Sequence, residues 1–276
     1  MAARESHLLD VTGARLYYEV RGSGPTLLLI PGSNGDAGFF DAMADLLAEH
    51  YTVISYDRRG FSRSPVHEER RAEWIETHTE DARRLLDAVA GEPSHVFGTS
   101  AGAVIGLALV SRHPQQVTKL VAHEPPLAEL LPDAMRWRAF FQEVSATYEG
   151  QGADPALRKF MTGIGMDTAQ RPPDLDPELI RRMSRNVHTV LTQEVPNAPS
   201  YRPNLAALDA QQSRITLVGA ATHVPTSPIA QPPRWQPAGT RRSSISPETT
   251  PATGPIPPSS PPLWWMPWLC ERCRPC

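Results

Sequence analysis

Residues 96–106 read VFGTSAGAVIG, and this stretch decides the fold. Its apolar start is typical of a buried strand, and its small and apolar continuation is typical of a helix packed on a sheet. Gly98 and Gly102 stand two residues either side of Ser100, so strand and helix can approach closely at a sharp, strained turn. Such a turn leaves the Ser100 hydroxyl exposed at its tip, beside the free N–H groups of the helix start. We therefore predict that Ser100 is a catalytic nucleophile.

A loop upstream of this turn is a candidate for the second backbone donor of the site. In the segment LLLIPGSNGD (residues 27–36), Pro31 to Asn34 follow directly after a buried strand. The N–H group of Ser33 in this loop and the N–H group of Ala101 are expected to point at the same oxygen. Two converging donors form an oxyanion hole, and loss of one such donor costs about a hundredfold or more in rate. The alternative is an ordinary strand-end turn, for which proline and glycine are common residues.

Strands and helices alternate along much of the chain. Apolar runs predict strands, and apolar residues at helical spacing predict helices. Thr77 and Glu80 form a capping box, which predicts a helix that begins there and runs to about Ala90. This alternation is typical of an α/β fold with a doubly wound, mostly parallel sheet. The predicted strands are residues 15–20, 26–30, 51–56, 95–98, 117–123 and 214–219, and the predicted helices are residues 39–49, 77–90, 101–113 and 205–210.

The alternation stops between residues 125 and 201. Helical patterns follow one another there without an intervening strand, at residues 134–148, 155–162 and 177–195. Open α/β sheets bind ligands at the carboxyl ends of their strands, so we predict that this segment is a cap over that edge. The predicted domains are a core of residues 1–126 and 202–222, a helical cap of residues 127–201, and a tail of residues 223–276.

The composition of the tail differs from that of the rest of the chain. From residue 224 onward, 53 residues contain 14 of the 29 prolines and four of the six tryptophans. Prolines break helices and deny hydrogen bonds to a sheet, so we expect this tail to be extended and disordered. All three cysteines lie in it, at Cys270, Cys273 and Cys276. Their C-x-x-C spacing supplies three thiols, which is one fewer than a closed zinc site needs, so no metal is expected.

The order of the motifs resembles the α/β-hydrolase superfamily. A strand ends in proline and glycine, YDRRGFSRS (residues 56–64) follows the next strand, and VFGTSAGA (residues 96–103) precedes a strand ending in HEPP (residues 123–126). The likeness is greatest to bacterial esterase-like members with a helical cap, and it covers about residues 8–221. It implies a serine hydrolase with an oxyanion hole. Two small departures are Pro31, where a histidine is usual, and Ser62, where the D-x-R-G-x-G-x-S loop has its second glycine.

The large departure concerns the remaining catalytic groups. The resemblance implies an acid after the strand that follows the cap, and a histidine after one further strand. That further strand is not found, and His223 follows residues 214–219 too early to be the implied histidine. Glu124 is the best surviving candidate for the acid, because some family members place their acid there. The alternative for Glu124 is a solvated loop carboxylate.

No other histidine is an obvious replacement. His123 adjoins Glu124, but successive strand residues point to opposite faces, so both cannot easily reach Ser100. His95 begins the strand and lies at its far end. The other histidines are expected to be solvated, at His7, His50, His67, His78, His113 and His188. Because a serine hydroxyl is a weak nucleophile without a base, the catalytic histidine is predicted to be absent and activity impaired.

A frameshift would explain the tail. The chain has two lysines, Lys119 and Lys159, among its 27 lysine and arginine residues, which indicates GC-rich codons. Such codons read out of frame tend to give proline, arginine, serine, threonine, tryptophan and cysteine. We hypothesise a frameshift near codon 221. The nucleotide sequence tests this hypothesis, because an alternate frame there should restore a strand followed by a histidine.

Composition and charge indicate which partners and which cellular location are expected. The net charge is −3 without a basic run, so no nucleic-acid partner is expected. Charges within residues 1–10 and the lack of a long apolar run predict a cytoplasmic protein without a membrane partner. We expect no cofactor, and a small ester or related acyl compound as substrate. The alternatives are a catalytically inactive fold that binds a ligand or partner, and an unstable pseudogene product. The oligomeric state is not indicated.

Overall fold

A computed structural model of the chain describes residues 3–67, 74–165 and 175–219. Within these ranges, seven strands form one sheet in the order β1-β2-β4-β3-β5-β6-β7. Three strands at one edge, β1, β2 and β4, pair antiparallel, and β4, β3, β5, β6 and β7 pair parallel. The strands are β1 Arg4–Val11, β2 Ala14–Arg21, β3 Thr26–Ile30, β4 Thr52–Tyr56, β5 Ser94–Thr99, β6 Val117–His123 and β7 Ile215–Val218.

Seven α-helices accompany the sheet in the described part of the chain. Four of them lie outside residues 127–201: α1 Asp41–Leu47, α2 Trp74–Val89, α3 Ala101–Arg112 and α7 Leu205–Ala210. Three lie inside that segment: α4 Ala134–Gln151, α5 Ala153–Gly163 and α6 Pro177–Thr189. A π-helical turn, Val190–Glu194, continues directly from α6. The predicted strands and helices are thus found, with shifted ends.

Helices cover both faces of the sheet, which confirms the predicted α/β, doubly wound, mostly parallel fold. Alternate residues of the central strands, including Leu28 and Val96, share one apolar cluster with α2, α3 and α7. On the opposite face the Phe97 ring lies 5.9 Å from the Phe40 ring, directly before α1. A strand covered on both faces must be apolar throughout, and β3 is buried along Leu27 to Ile30.

Two local predictions were wrong or incomplete. The capping box at Thr77 and Glu80 does not begin a helix, because α2 already runs from Trp74. The Thr79 hydroxyl instead donates to Ile75 O at 2.6 Å, inside that helix. The sequence also gave no sign of β1, since most of its residues are exposed and carry no apolar alternation.

The segment of residues 127–201, called the cap segment below, has an apolar cluster of its own. Trp137, Phe141 and Val144 of α4 pack there with Ala156 of α5 and Leu191 of the π-helical turn. The division into core and cap domains stays a prediction. The predicted tail of residues 223–276, with His223 and the three cysteines, lies outside the described residues. Within those residues, no helix has the length and apolar character needed to span a bilayer.

Candidate active site

Ser100 occupies the sharp turn between β5 and α3. Its backbone angles are φ 53° and ψ −122°, a conformation that residues with a side chain rarely adopt. The Ser100 N–H group donates to His123 O at 2.8 Å, which ties the turn to the end of β6. Strained residues of this kind persist only where their surroundings hold them. The Ser100 side chain is only half-buried, so a ligand can reach it.

The two flanking glycines are required by close backbone contacts. A Cβ atom at Gly98 would lie 2.3 Å from Gly102 O, and one at Gly102 would lie 2.2 Å from Ile30 O. Both distances are far below van der Waals contact, and both partners are backbone atoms that cannot move aside. The glycines therefore allow β5, α3 and the end of β3 to meet at the turn, as the sequence predicted.

The loop after β3 lies against this turn. Gly35 N–H donates to Gly32 O at 2.9 Å, which closes a tight turn around Ser33. A Cβ atom at Gly32 would lie 3.1 Å from Ser100 Cβ. Among the described residues, neither the Ser33 N–H group nor the Ala101 N–H group has an acceptor. Within the described ranges the two predicted oxyanion donors are thus free, one in the loop after β3 and the other at the start of α3.

A narrow cleft opens above Ser100. Ser33, Ser100 and Ala101 form one wall, so the structure brings three of the predicted site residues together. The other wall comes mainly from the cap segment and is mostly apolar, with Phe141, Phe160, Val195, Ala198 and Pro199. A small apolar acyl group next to Ser100 would lose its water in this cleft.

Glu124 lies directly after β6. This strand pairs with β5, which ends directly before Ser100. Its backbone has φ 51°, and its N–H group donates to Val218 O at 2.7 Å. The residue is half-buried. Glu124 is therefore held at the same edge of the sheet as Ser100, and its role as the acid stays a prediction.

The His123 imidazole does not bond to the Ser100 hydroxyl. Its Nδ1 atom lies 2.9 Å from Thr99 Oγ1. Burial lowers the pKa of His123, and the nearby Glu124 charge partly opposes that change. Among the described residues, no histidine nitrogen forms a hydrogen bond with the Ser100 hydroxyl.

His78 corrects one of the sequence expectations. It was expected to be solvated, but it is buried within α2 and packs against Trp74 with ring centroids 4.7 Å apart. Burial lowers the pKa of His78 well below its usual value, and the charges of Arg58 and Arg59 lower it further. The apolar positions of α2 point inward at helical spacing, and His78 falls among them, so the expectation overlooked a signal in the sequence.

The cap segment is fixed to the loops of the site by polar side chains of α6. Asn186 Nδ2 donates to Asn34 O at 2.7 Å and to Ser62 Oγ at 2.9 Å. The Ser62 N–H group donates back to Asn186 Oδ1 at 2.8 Å. One turn earlier, Arg182 Nε donates to the buried Asp36 carboxylate at 2.7 Å. These bonds connect the cap to the loop that carries Ser33.

A buried ion pair, which was not predicted from the sequence, completes the connection. Arg58 Nη2 donates to Gly32 O at 2.7 Å and also to a carboxylate oxygen of Glu194. Both side chains are almost fully buried, and Glu194 also lines the cleft. One signal was available: Glu194 falls four residues after Val190 and next to Val195, on the apolar side of its helical turn.

The described ranges hold no group of three histidine, cysteine, aspartate or glutamate side chains arranged to bind a metal ion. Arginine–carboxylate pairs account for many of the buried charges instead. Asp57, for example, accepts from Arg63 Nε at 2.7 Å, and burial raises the pKa of that carboxyl group.

The chain matches one protein-family model and several individual proteins. Residues 25–169 match the family model described as alpha/beta hydrolase fold. The uncharacterized hydrolase YraK of Bacillus subtilis (strain 168) is 51% identical over 123 residues, which are 45% of this chain and 45% of that protein. Zearalenone hydrolase of Cladophialophora bantiana is 32% identical over 133 residues, which are 45% of this chain and 48% of that protein. The matched region thus spans less than half of the length of each relative.

A solved structure extends the likeness over most of the fold. The crystal structure of an alpha/beta hydrolase from Sphaerobacter thermophilus DSM 20745 superposes with a TM-score of 0.56 and 26% identity. The superposition covers 78% of this chain and 83% of that chain.

Proposed function

This chain belongs to the α/β-hydrolase fold family, and from that premise we propose that it is a serine hydrolase acting on a small ester or related acyl compound. One observation carries the proposal. Ser100 occupies a strained turn in a cleft that it shares with Ser33 and Ala101, whose N–H groups have no acceptor among the described residues. This is the arrangement that acyl transfer requires, namely an exposed hydroxyl beside donors for a developing oxyanion.

In the proposed reaction, Ser100 Oγ attacks the acyl carbon and its proton passes to water. The carbonyl oxygen gains the negative charge, which the N–H groups of Ser33 and Ala101 stabilise. The tetrahedral intermediate collapses, the alcohol leaves with a proton, and water then hydrolyses the acyl-enzyme. The cap segment provides the apolar wall that selects the acyl group.

We propose that turnover is impaired because the base is missing. Among the described residues, no imidazole bonds to the Ser100 hydroxyl. Loss of a triad histidine costs about a millionfold in turnover, whereas oxyanion stabilisation and binding alone still give roughly a thousandfold or more over water. Glu124, held at the end of β6, is the carboxylate proposed for the acid.

The second candidate function is ligand binding without catalysis. The hydrogen bond between His123 and Thr99 favours this function, because the His123 imidazole is engaged with Thr99 and not with Ser100. A protein of this kind would hold an acyl compound in the cleft and release it unchanged.

Covalent labelling separates the two functions. The full chain, Ser100→Ala and the exposed control Ser213→Ala are incubated with a fluorophosphonate, and the added mass is measured on intact protein. Because the missing base slows phosphonylation as it slows turnover, the incubation is prolonged at high reagent concentration, and the hydrolase proposal then predicts one adduct on wild type and on Ser213→Ala, and none on Ser100→Ala. Absence of an adduct on wild-type protein with a cooperative unfolding transition contradicts it and supports the binder.

A further inference from the structure

Glu194 is an unusual component of the cleft. It lines the same cleft as Ser100, and only 2% of its surface is exposed. The neighbouring wall from the cap segment is apolar, formed by residues such as Phe141, Phe160 and Val195. A carboxylate in apolar surroundings is costly unless its oxygens receive hydrogen bonds, so its presence there needs a reason.

Only half of this carboxylate is satisfied. One oxygen, Oε2, accepts a hydrogen bond from Arg58 Nη2. The other, Oε1, is buried and has no hydrogen-bond partner within the described residues. Arg58 itself does not line the cleft, so Glu194 is the member of the pair that borders it. The guanidinium fixes the carboxylate in place next to the cleft.

We propose that Glu194 determines specificity by accepting a hydrogen bond from the substrate at Oε1. The substrate class is then an acyl compound whose acyl part carries an N–H or O–H donor close to the scissile carbonyl. A compound with a methylene group at that place would leave the oxygen without a donor and bind more weakly, because a site built for a donor rejects an analogue that lacks it. This inference rests on the proposed role of Ser100.

Two boronic acids of equal shape test the inference without requiring turnover. Acetamidomethylboronic acid carries an N–H group, and 3-oxobutylboronic acid has a methylene group in its place. In both, a lone pair of Ser100 Oγ forms a bond to boron, the hydroxyl proton goes to solvent, and boron becomes tetrahedral with one negative charge. Dissociation constants are measured on the full chain by competition with fluorophosphonate labelling and by calorimetry.

The expected result on wild type is at least tenfold tighter binding of the amide than of the ketone. Glu194→Gln should abolish this preference, because its amide oxygen stays on Arg58 and its NH2 group replaces the acceptor with a donor. Glu143→Gln, which changes an exposed carboxylate of α4, should keep the preference. Thermal unfolding reports whether Glu194→Gln folds, and the wild-type comparison decides the question even if it does not.

The failures of the two proposals are distinguishable. Equal binding of the two boronic acids to wild type, lost in Ser100→Ala, overturns the role of Glu194 and leaves the role of Ser100 intact. Absence of any Ser100-dependent boronate binding contradicts the proposed function, and the inference about Glu194 falls with it.

Discussion

Arg58 and Glu194 form an ion pair between residues 136 positions apart in the chain, and both side chains are almost completely buried. The same Nη2 atom of Arg58 donates to Gly32 O, one residue before Ser33. A single guanidinium thus joins the cap segment to the loop that supplies a proposed oxyanion donor. The pair therefore links the cap segment to the loop that lies against the Ser100 turn.

Removing one member of this ion pair should lower the free energy of unfolding much more than replacing both members with apolar residues. Glu194→Ala leaves a buried guanidinium without its counter-charge, and we expect a loss of about 3–5 kcal/mol in the free energy of unfolding. The double variant Arg58→Met, Glu194→Leu buries no charge and should recover most of that loss. Urea denaturation of the single and double variants measures both values. A double variant as unstable as the sum of its two single variants would contradict the argument.

Gly102→Ala tests the close contact at the turn. Alanine favours a helix over glycine by about 0.5–1 kcal/mol, so local propensity alone predicts stabilisation. The new Cβ atom, however, would lie 2.2 Å from Ile30 O. We expect the clash to dominate and to lower the free energy of unfolding by about 1–3 kcal/mol. Gly91→Ala is the control, since a Cβ atom there meets nothing within 4 Å. Equal stability of the two variants would show that the contact is not as close as described.

Ser62 separates backbone strain from side-chain bonding. Its φ is 46°, in the region that favours glycine, and its hydroxyl accepts from Asn186 at 2.9 Å. Ser62→Ala removes the bond and keeps the strain, so it should lose about 1–2 kcal/mol of stability. Ser62→Gly also removes the bond but relieves the strain, and should be more stable than Ser62→Ala by about 1 kcal/mol. The urea midpoints of the two variants decide this, and the reverse order would refute it.

His78 should make stability depend on pH. Its pKa in the folded protein lies well below the usual value of 6.5, because burial and the Arg58 and Arg59 charges disfavour the imidazolium. The unfolded chain therefore binds more protons below about pH 6.5, and the free energy of unfolding should fall with decreasing pH by at most about 1.4 kcal/mol per pH unit from this group. Above that pH the group contributes no slope. His78→Leu should flatten the dependence between pH 5 and pH 6.5, and parallel curves for variant and wild type would exclude the effect.

Much of the fold could be predicted because its signals are local. The buried strand before Pro31 and the glycines around Ser100 each carry their information within a few residues. The start of α2 was misplaced because Thr77 and Glu80 match a capping pattern that helix interiors also produce by chance. β1 escaped prediction because it pairs with a single neighbour, β2, and is mostly exposed, so it needs no alternation of apolar residues.

The polar part of the site was much harder to predict. Arg58 and Glu194 meet only because the cap segment packs against the loop after β4, and a glutamate in a helical segment is usually solvated. The bonds of Asn186 to Asn34 and Ser62 depend on the same long-range docking. The apolar side of its helical turn marks Glu194 as buried, but the identity of its partner leaves no mark at short range in the sequence. Glu124 could be proposed because some members of the family that the sequence resembles place their acid at that position.

A structure of the fluorophosphonate adduct tests the central claim most directly. The account predicts that phosphorus is bonded to Ser100 Oγ, and that one phosphonyl oxygen lies about 2.7–3.1 Å from the backbone nitrogens of both Ser33 and Ala101. Phosphorus on any other side chain would contradict the account. So would an adduct on Ser100 whose phosphonyl oxygen faces solvent, with neither nitrogen within hydrogen-bond distance.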